Sequence, residues 1–230
     1  MLQSIGKKKI LLYLMLLIFL GTQISKNQYR EKKDYKSFNN IEVFGLSEEN
    51  NRKIIENLKP FLVKNIFFLK KNIFNKILEE NNLIQSFQIQ KIYPNSIRIN
   101  IEKTNFLAIT NKENKKFYIG SNGKLIPIKH SESFEKKLPF VFTKNNYNDF
   151  IDLKKIIDQS DFQFYEIDSF YYFPSKRWDF KTNDGTLIKL PEKNLLNALQ
   201  LVNKIKSNKK IGDNKIIDLR ISNHIITAND

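Results

Sequence analysis

The sequence predicts an α+β protein in three parts. One apolar helix near the N-terminus is followed by a strand-helix-helix-strand-strand unit, and then by a mainly antiparallel β half with flanking helices. Three observations lead there. A single apolar run, residues 10–20, follows three lysines. Residues 38–106 pass from alternating to helical apolar spacing and back. The later part of the chain carries Ser-Asn-Gly and Asn-Asp-Gly turn signals between short β-rich runs.

Composition sets outer bounds. Of 230 residues, 41% are apolar and 13% aromatic, enough for a packed core. The balance of 39 basic against 24 acidic residues gives a net charge of +15, which favours anionic partners. The lysines are spread among abundant Asn, Ile and Phe, the bias of AT-rich coding, and no arginine-rich tract stands out, so nucleic acid is not the expected ligand. The chain has no cysteine, which excludes a disulfide scaffold, a thiol nucleophile and thiolate metal sites.

Residues 10–24 are expected to form a transmembrane anchor, with residues 1–9 as a cytoplasmic tail and 25–37 as a polar linker. At ~1.5 Å per residue the run covers roughly 22 Å, against a hydrocarbon core of roughly 30 Å. Snorkelling of Lys9 and Lys26 and local thinning would close the gap. The competing reading is a cleaved signal peptide, but no Ala-based small-x-small site follows the run. Lys7, Lys8 and Lys9 abut the run with no acid among them, but Lys26, Arg30, Lys32, Lys33 and Lys36 follow it, so the charge count alone leaves the topology open. The expected orientation is N-terminus inside, since a large domain translocates largely regardless of charge.

Each later element has its own signal. Ile41 and Val43 mark a short strand ending at Gly45. Ser47 with Glu48 and Glu49 starts a helix whose face is Ile54, Ile55 and Leu58, and Pro60 ends it near Lys59. NIFFL (65–69) connects to a second helix with Ile73, Phe74, Ile77 and Leu78 on one face. Phe87 and Ile89 alternate with glutamines; Pro94-Asn95 turns the chain; Ile97, Ile99 and Ile101 then point inward, with Arg98, Asn100 and Glu102 outward. Two helices would cover one face of this three-stranded sheet and leave an edge for a partner. Next come a hairpin at Ser121-Asn122-Gly123, a helix through DFIDLKKIIDQ, a strand FQFYEIDSFYYF and a hairpin at Asn183-Asp184-Gly185. A helix built on Leu195, Leu199, Val202 and Ile205 and a last strand KIIDLRISNHIITA close the order.

The motifs "VFGL", "NIFFL", "IYPNSIRINIEK" and "FLAI", in this order, resemble the FtsQ-type POTRA domain. "YIGSNGKLIPI", "LPFVF", "KRWDFKTNDGTLIKLP" and "IIDLR" are similar to the β domain of the FtsQ/DivIB cell-division family. The departures are Lys103-Thr104 where "ER-P" is common and Ile221 where some relatives carry an aromatic. The resemblance implies a POTRA domain over 38–106 and a β domain over 107–228. It also implies a non-enzymatic inner-membrane scaffold of the division septum, with its domains in the periplasm. The implied partners are FtsB- and FtsL-like coiled-coil proteins and the septal peptidoglycan synthases, with no cofactor.

Docking by strand addition needs only an open sheet edge. In the last strand, Leu219, Ile221, Asn223 and Ile225 would lie on one side, and Arg220, Ser222, His224 and Ile226 on the other. Arg177 beside Trp178 would offer a charged contact to an acidic partner. Other chemistry finds little support. His130 and His224 have no metal-ligand spacing, Glu79-Glu80 reads as a solvated helix end, and Trp178 reads as core. No nucleophile elbow, zinc-protease motif or phosphate loop occurs. The alternatives are an anchored or secreted periplasmic enzyme and a basic envelope-binding protein.

Overall fold

In the computed structural model, which describes residues 7–24, 40–62, 71–93, 95–128, 137–144, 147–207, 215–221 and 224–228, the chain builds two separate sheets with separate cores. The predicted linker, NIFFL, Pro94, His130, Ser222 and Asn223 lie outside the described residues.

Helix α1 spans Lys7–Ile24, and its side chains from Ile10 to Phe19 are exposed on every side. The expected helix is present over 10–24 and begins three residues earlier than expected, at Lys7. Among the described residues no helix is long and apolar enough to cross a membrane. Lys7, Lys8 and Lys9 take up the first turn of α1 and shorten its apolar part.

The first sheet has the order β1-β3-β2, from β1 (Asn40–Phe44), β2 (Ile84–Ile92) and β3 (Ser96–Lys103). β1 runs parallel to β3, and β2 antiparallel to it. Two helices make the crossover, α2 (Glu48–Leu58) and α3 (Lys71–Glu79). Ser47 stands in the extended N-cap conformation, but its hydroxyl accepts from Asn50 Nδ2 instead of capping a backbone N–H. Asn51 ties the helix start down by bonding both the N–H and the carbonyl of Leu46. Pro60 falls in a single 3-10 turn, Lys59–Phe61, that ends α2 as expected. Leu58, Phe74, Leu78, Ile97 and Ile99 are fully or almost fully buried between helices and sheet.

The second sheet has nine strands in the order β12-β11-β10-β9-β8-β7-β4-β5-β6. They are β4 (Phe106–Lys112), β5 (Lys115–Gly120), β6 (Leu125–Pro127), β7 (Phe140–Phe142), β8 (Ile167–Tyr172), β9 (Trp178–Thr182), β10 (Leu187–Lys189), β11 (Ile216–Asp218) and β12 (Ile226–Ala228). Helices α4 (Tyr147–Gln159) and α5 (Leu195–Ser207) pack on one face only. Phe150, Phe170, Trp178 and Phe180 form the centre of that core, with Phe150 edge-on to Phe170 at 5.3 Å. Trp178 is buried as expected.

Two expectations change here. FQFYEIDSFYYF is not one strand, because Phe164–Glu166 forms a 3-10 turn before β8. The predicted last strand is also broken: β11 and β12 are separate three-residue strands, paired antiparallel. Leu219 and Arg220 follow β11, His224 donates its backbone N–H to the Ile221 carbonyl at 3.1 Å, and the chain returns along β12. The two-sided alternation predicted from Leu219 to Ile226 therefore does not occur.

Candidate partner-binding edge

The nine-stranded sheet has two ends, and they differ. At one end is β6. Gly120 N–H bonds the Lys124 carbonyl and Ile128 N–H bonds the Lys116 carbonyl, so Lys124 and Ile128 face β5. By antiparallel alternation, Leu125 and Pro127 turn their backbone groups outward. Pro127 has no N–H to offer. The Leu125 carbonyl accepts from Asn82 Nδ2, at 2.8 Å, in the turn before β2. This end is closed.

At the other end is β12, whose residues are all exposed. Leu187 N–H bonds the Lys215 carbonyl and Leu219 N–H bonds the Lys189 carbonyl, which turns alternate β11 residues toward β10. Ile216 and Asp218 must then bond β12 through their register partners Ala228 and Ile226. The backbone N–H and carbonyl of Thr227 consequently point out of the sheet. This is the open edge.

Beside that edge lies the sheet face that, among the described residues, no helix covers. The register gives one cross-strand row on it: Phe142, Tyr171, Asp179, Lys189, Asp218 and Ile226. A shallow cleft of about 570 Å³ opens over the part of this face near β8–β11, with Arg177, Lys181, Lys189, Lys215 and Arg220 on its walls. Arg177 Nε donates to Asp179 Oδ1 at 3.1 Å. Arg220 Nε donates to both oxygens of Asp218, at 2.8 and 2.9 Å, and its Nη2 reaches the same carboxylate. Five cations thus meet two carboxylates, so the cleft is positive. Burial pushes the Asp179 carboxyl up, against the hydrogen bond from Arg177, while the hydrogen bonds from Arg220 hold the Asp218 carboxyl below its usual value.

The predicted site residues divide accordingly. Arg177 and Arg220 converge on the cleft. Ile225 and Ile226 are exposed at the open edge, and Ile221 is exposed in the turn that leads to it. His224 is exposed, whereas Leu219 is 5% exposed and belongs to the core. Sequence reasoning missed Asp179, Lys181, Lys189, Lys215, Asp218 and Thr227. The alternation of WDFKT and LIKL carries the signal for three of them, since the residues between the core-facing ones share the open face. Among the described residues, no group of three or more His, Cys, Asp or Glu is placed to hold a metal ion.

Comparison with known proteins finds two family models that match the chain. A family model described as cell division protein FtsQ/DivIB, C-terminal, matches residues 108–220, and one described as POTRA domain, FtsQ-type, matches residues 36–103. No curated protein matches the chain. A solved structure, the major extracytoplasmic domain of the trans isomer of the cell-division protein DivIB from Geobacillus stearothermophilus, is 13% identical with a TM-score of 0.34, covering 46% of this chain and 93% of its own.

Proposed function

The chain belongs to the FtsQ/DivIB family of cell-division proteins, and from that premise we propose that it is a membrane-anchored scaffold of the division septum that binds its partner by strand addition at β12. The open end of the nine-stranded sheet carries this reading: among the described residues nothing pairs with the outward N–H and carbonyl of Thr227, beside a cleft walled by Arg177, Lys189 and Arg220. An extended partner segment would complete the ladder, and its carboxylates would meet the arginines. FtsB- and FtsL-like proteins are the partners that this reading assigns, with the septal peptidoglycan synthases further along the assembly. The role is structural, as in a family of non-enzymatic scaffolds.

The exposed apolar side chains from Ile10 to Phe19 support an anchoring role for residues 10–24. A helix that is apolar all round is stable only when something apolar surrounds it. Lys9 would snorkel to the inner interface, which leaves both sheets outside the cytoplasm.

A fluorescent protein fused ahead of Met1 tests the reading in dividing cells. A band at mid-cell is the expected result; an even outline of the envelope, from an intact and functional fusion, would overturn it.

A further inference from the structure

The passage between the two sheets is two residues long, Thr104 and Asn105, and neither is free to act as a hinge. Thr104 N–H bonds the Leu83 carbonyl at 2.9 Å, so it extends the β2–β3 ladder. Asn105 accepts from Ser121 N–H at 2.8 Å, and its own N–H reaches Ser121 Oγ at 3.1 Å, so it extends the β4–β5 ladder. Rotation about this link would break bonds in both sheets at once. A β-bulge sits at each side of it, between Ile84 and Ser86 and between Phe106 and Ala108.

Side chains from the second sheet then cross to the first. Asn122 Nδ2 donates to the carbonyls of Asn82 and Ile84 at 3.0 and 2.9 Å, while its Oδ1 accepts from Lys124 N–H at 3.1 Å. Both polar atoms of its side chain are used. Gln85, at the bulge, accepts from Ser121 Oγ at 2.7 Å and from Thr104 Oγ1 at 3.2 Å. Lys124 Nζ bonds the Glu79 carbonyl at the C-terminus of α3, where the helix dipole favours a cation. Leu83 adds an apolar contact to the cluster of Ile109, Tyr118 and Ile126 on the second sheet. Gly120 is held small by the same joint, because a Cβ there would fall 2.5 Å from Asn122 Oδ1 and 2.8 Å from Thr104 Oγ1.

We infer that this joint locks the two sheets into one rigid body, so that the open edge at β12 is held at a fixed direction from the end of the molecule that follows α1. β1 and β3 run in parallel toward the joint and β4 leads away from it, so residue 40 and the joint stand at opposite ends of the first sheet. A ligand bound on one sheet is thereby carried as a fixed lever by the other. This inference goes beyond the division reading and does not depend on it.

The absence of cysteine makes the test clean. Glu56→Cys and Gln159→Cys, both exposed and one on each unit, take a pair of spin labels in the full chain held in lipid nanodiscs. Pulsed electron resonance then reads their separation with no partner present. One narrow distance distribution is expected, and it should broaden when Asn122→Ala, or separately the milder Gln85→Ala, is added, with the circular dichroism unchanged. A broad distribution in the unaltered joint would overturn the inference, as would an unchanged narrow one in both joint variants.

Discussion

Arg220 Nε lies 2.8 and 2.9 Å from the two carboxylate oxygens of Asp218, only two residues back along the chain. Asp218 also accepts the backbone N–H of Arg220, at 3.1 Å, so side chain and main chain are fixed together. The guanidinium is therefore held in place before any partner arrives, and little rotamer freedom remains to be lost on binding.

Arg220→Ala is expected to weaken partner association by roughly 1.5–3 kcal/mol, the scale of a hydrogen bond to a charged group. Arg220→Lys should recover only part of it, because an ammonium lacks the planar fork. Calorimetric titration with the partner's extended segment reads both; equal affinity in all three proteins would remove Arg220 from the interface.

Thr227→Pro removes one outward N–H and leaves the bonds of Ile226 and Ala228 to β11 in place. Thermal stability should change little, while strand addition is lost. Binding that survives this substitution would move the docking site away from β12.

Phe170 is completely buried against Phe150, Trp178 and Phe180. Phe170→Ala is expected to cost about 3–5 kcal/mol. Hydrogen exchange should rise across β7–β9 and stay unchanged across β1–β3, whose core shares no side chain with it.

Burial alone would raise the Asp184 carboxyl, but hydrogen bonds from Thr182, from the Thr186 backbone and from Lys206 outweigh it and hold it well below its ordinary 3.8. A carboxyl lowered on folding contributes stability that is present above 3.8 and lost as the pH falls below it, because the unfolded chain takes up the proton first. Asp184→Asn should flatten the acid limb of the stability profile. A limb of unchanged slope in urea melts run between pH 2 and 5 would show that other carboxyls dominate (roughly the range over which such groups titrate).

Much of the first sheet was legible because one face is buried and the other wet. Ile97, Ile99 and Ile101 alternate with Arg98, Asn100 and Glu102 as the sequence says. The hairpins at Asn122-Gly123 and Asn183-Gly185 were equally plain, with Gly123 and Gly185 at φ of 77° and 92°. The turn between β4 and β5 was harder to see, because Glu113 and Asn114 take the left-handed conformation with no glycine to announce it.

The last strand was misread for a related reason. Alternation along DLRISNHIITA fits one strand or two, since a reversal leaves the period intact. Ser222-Asn223, a pair that favours turns, stands between the two strands and was the available signal. The cleft was legible only in part: Arg177 and Arg220 are 43 positions apart, and only the register of β8–β11 brings their strands together.

Pro127 and Asn82 close β6 while β12 stays open, and this asymmetry has a consequence for stoichiometry. A sheet with two available edges is a link, able to pass its ladder on to the next molecule and grow without limit. With one, the nine-stranded sheet is a terminus. This chain's own backbone can pair directly with one incoming strand there, and any further strand would have to build on that guest's outer edge.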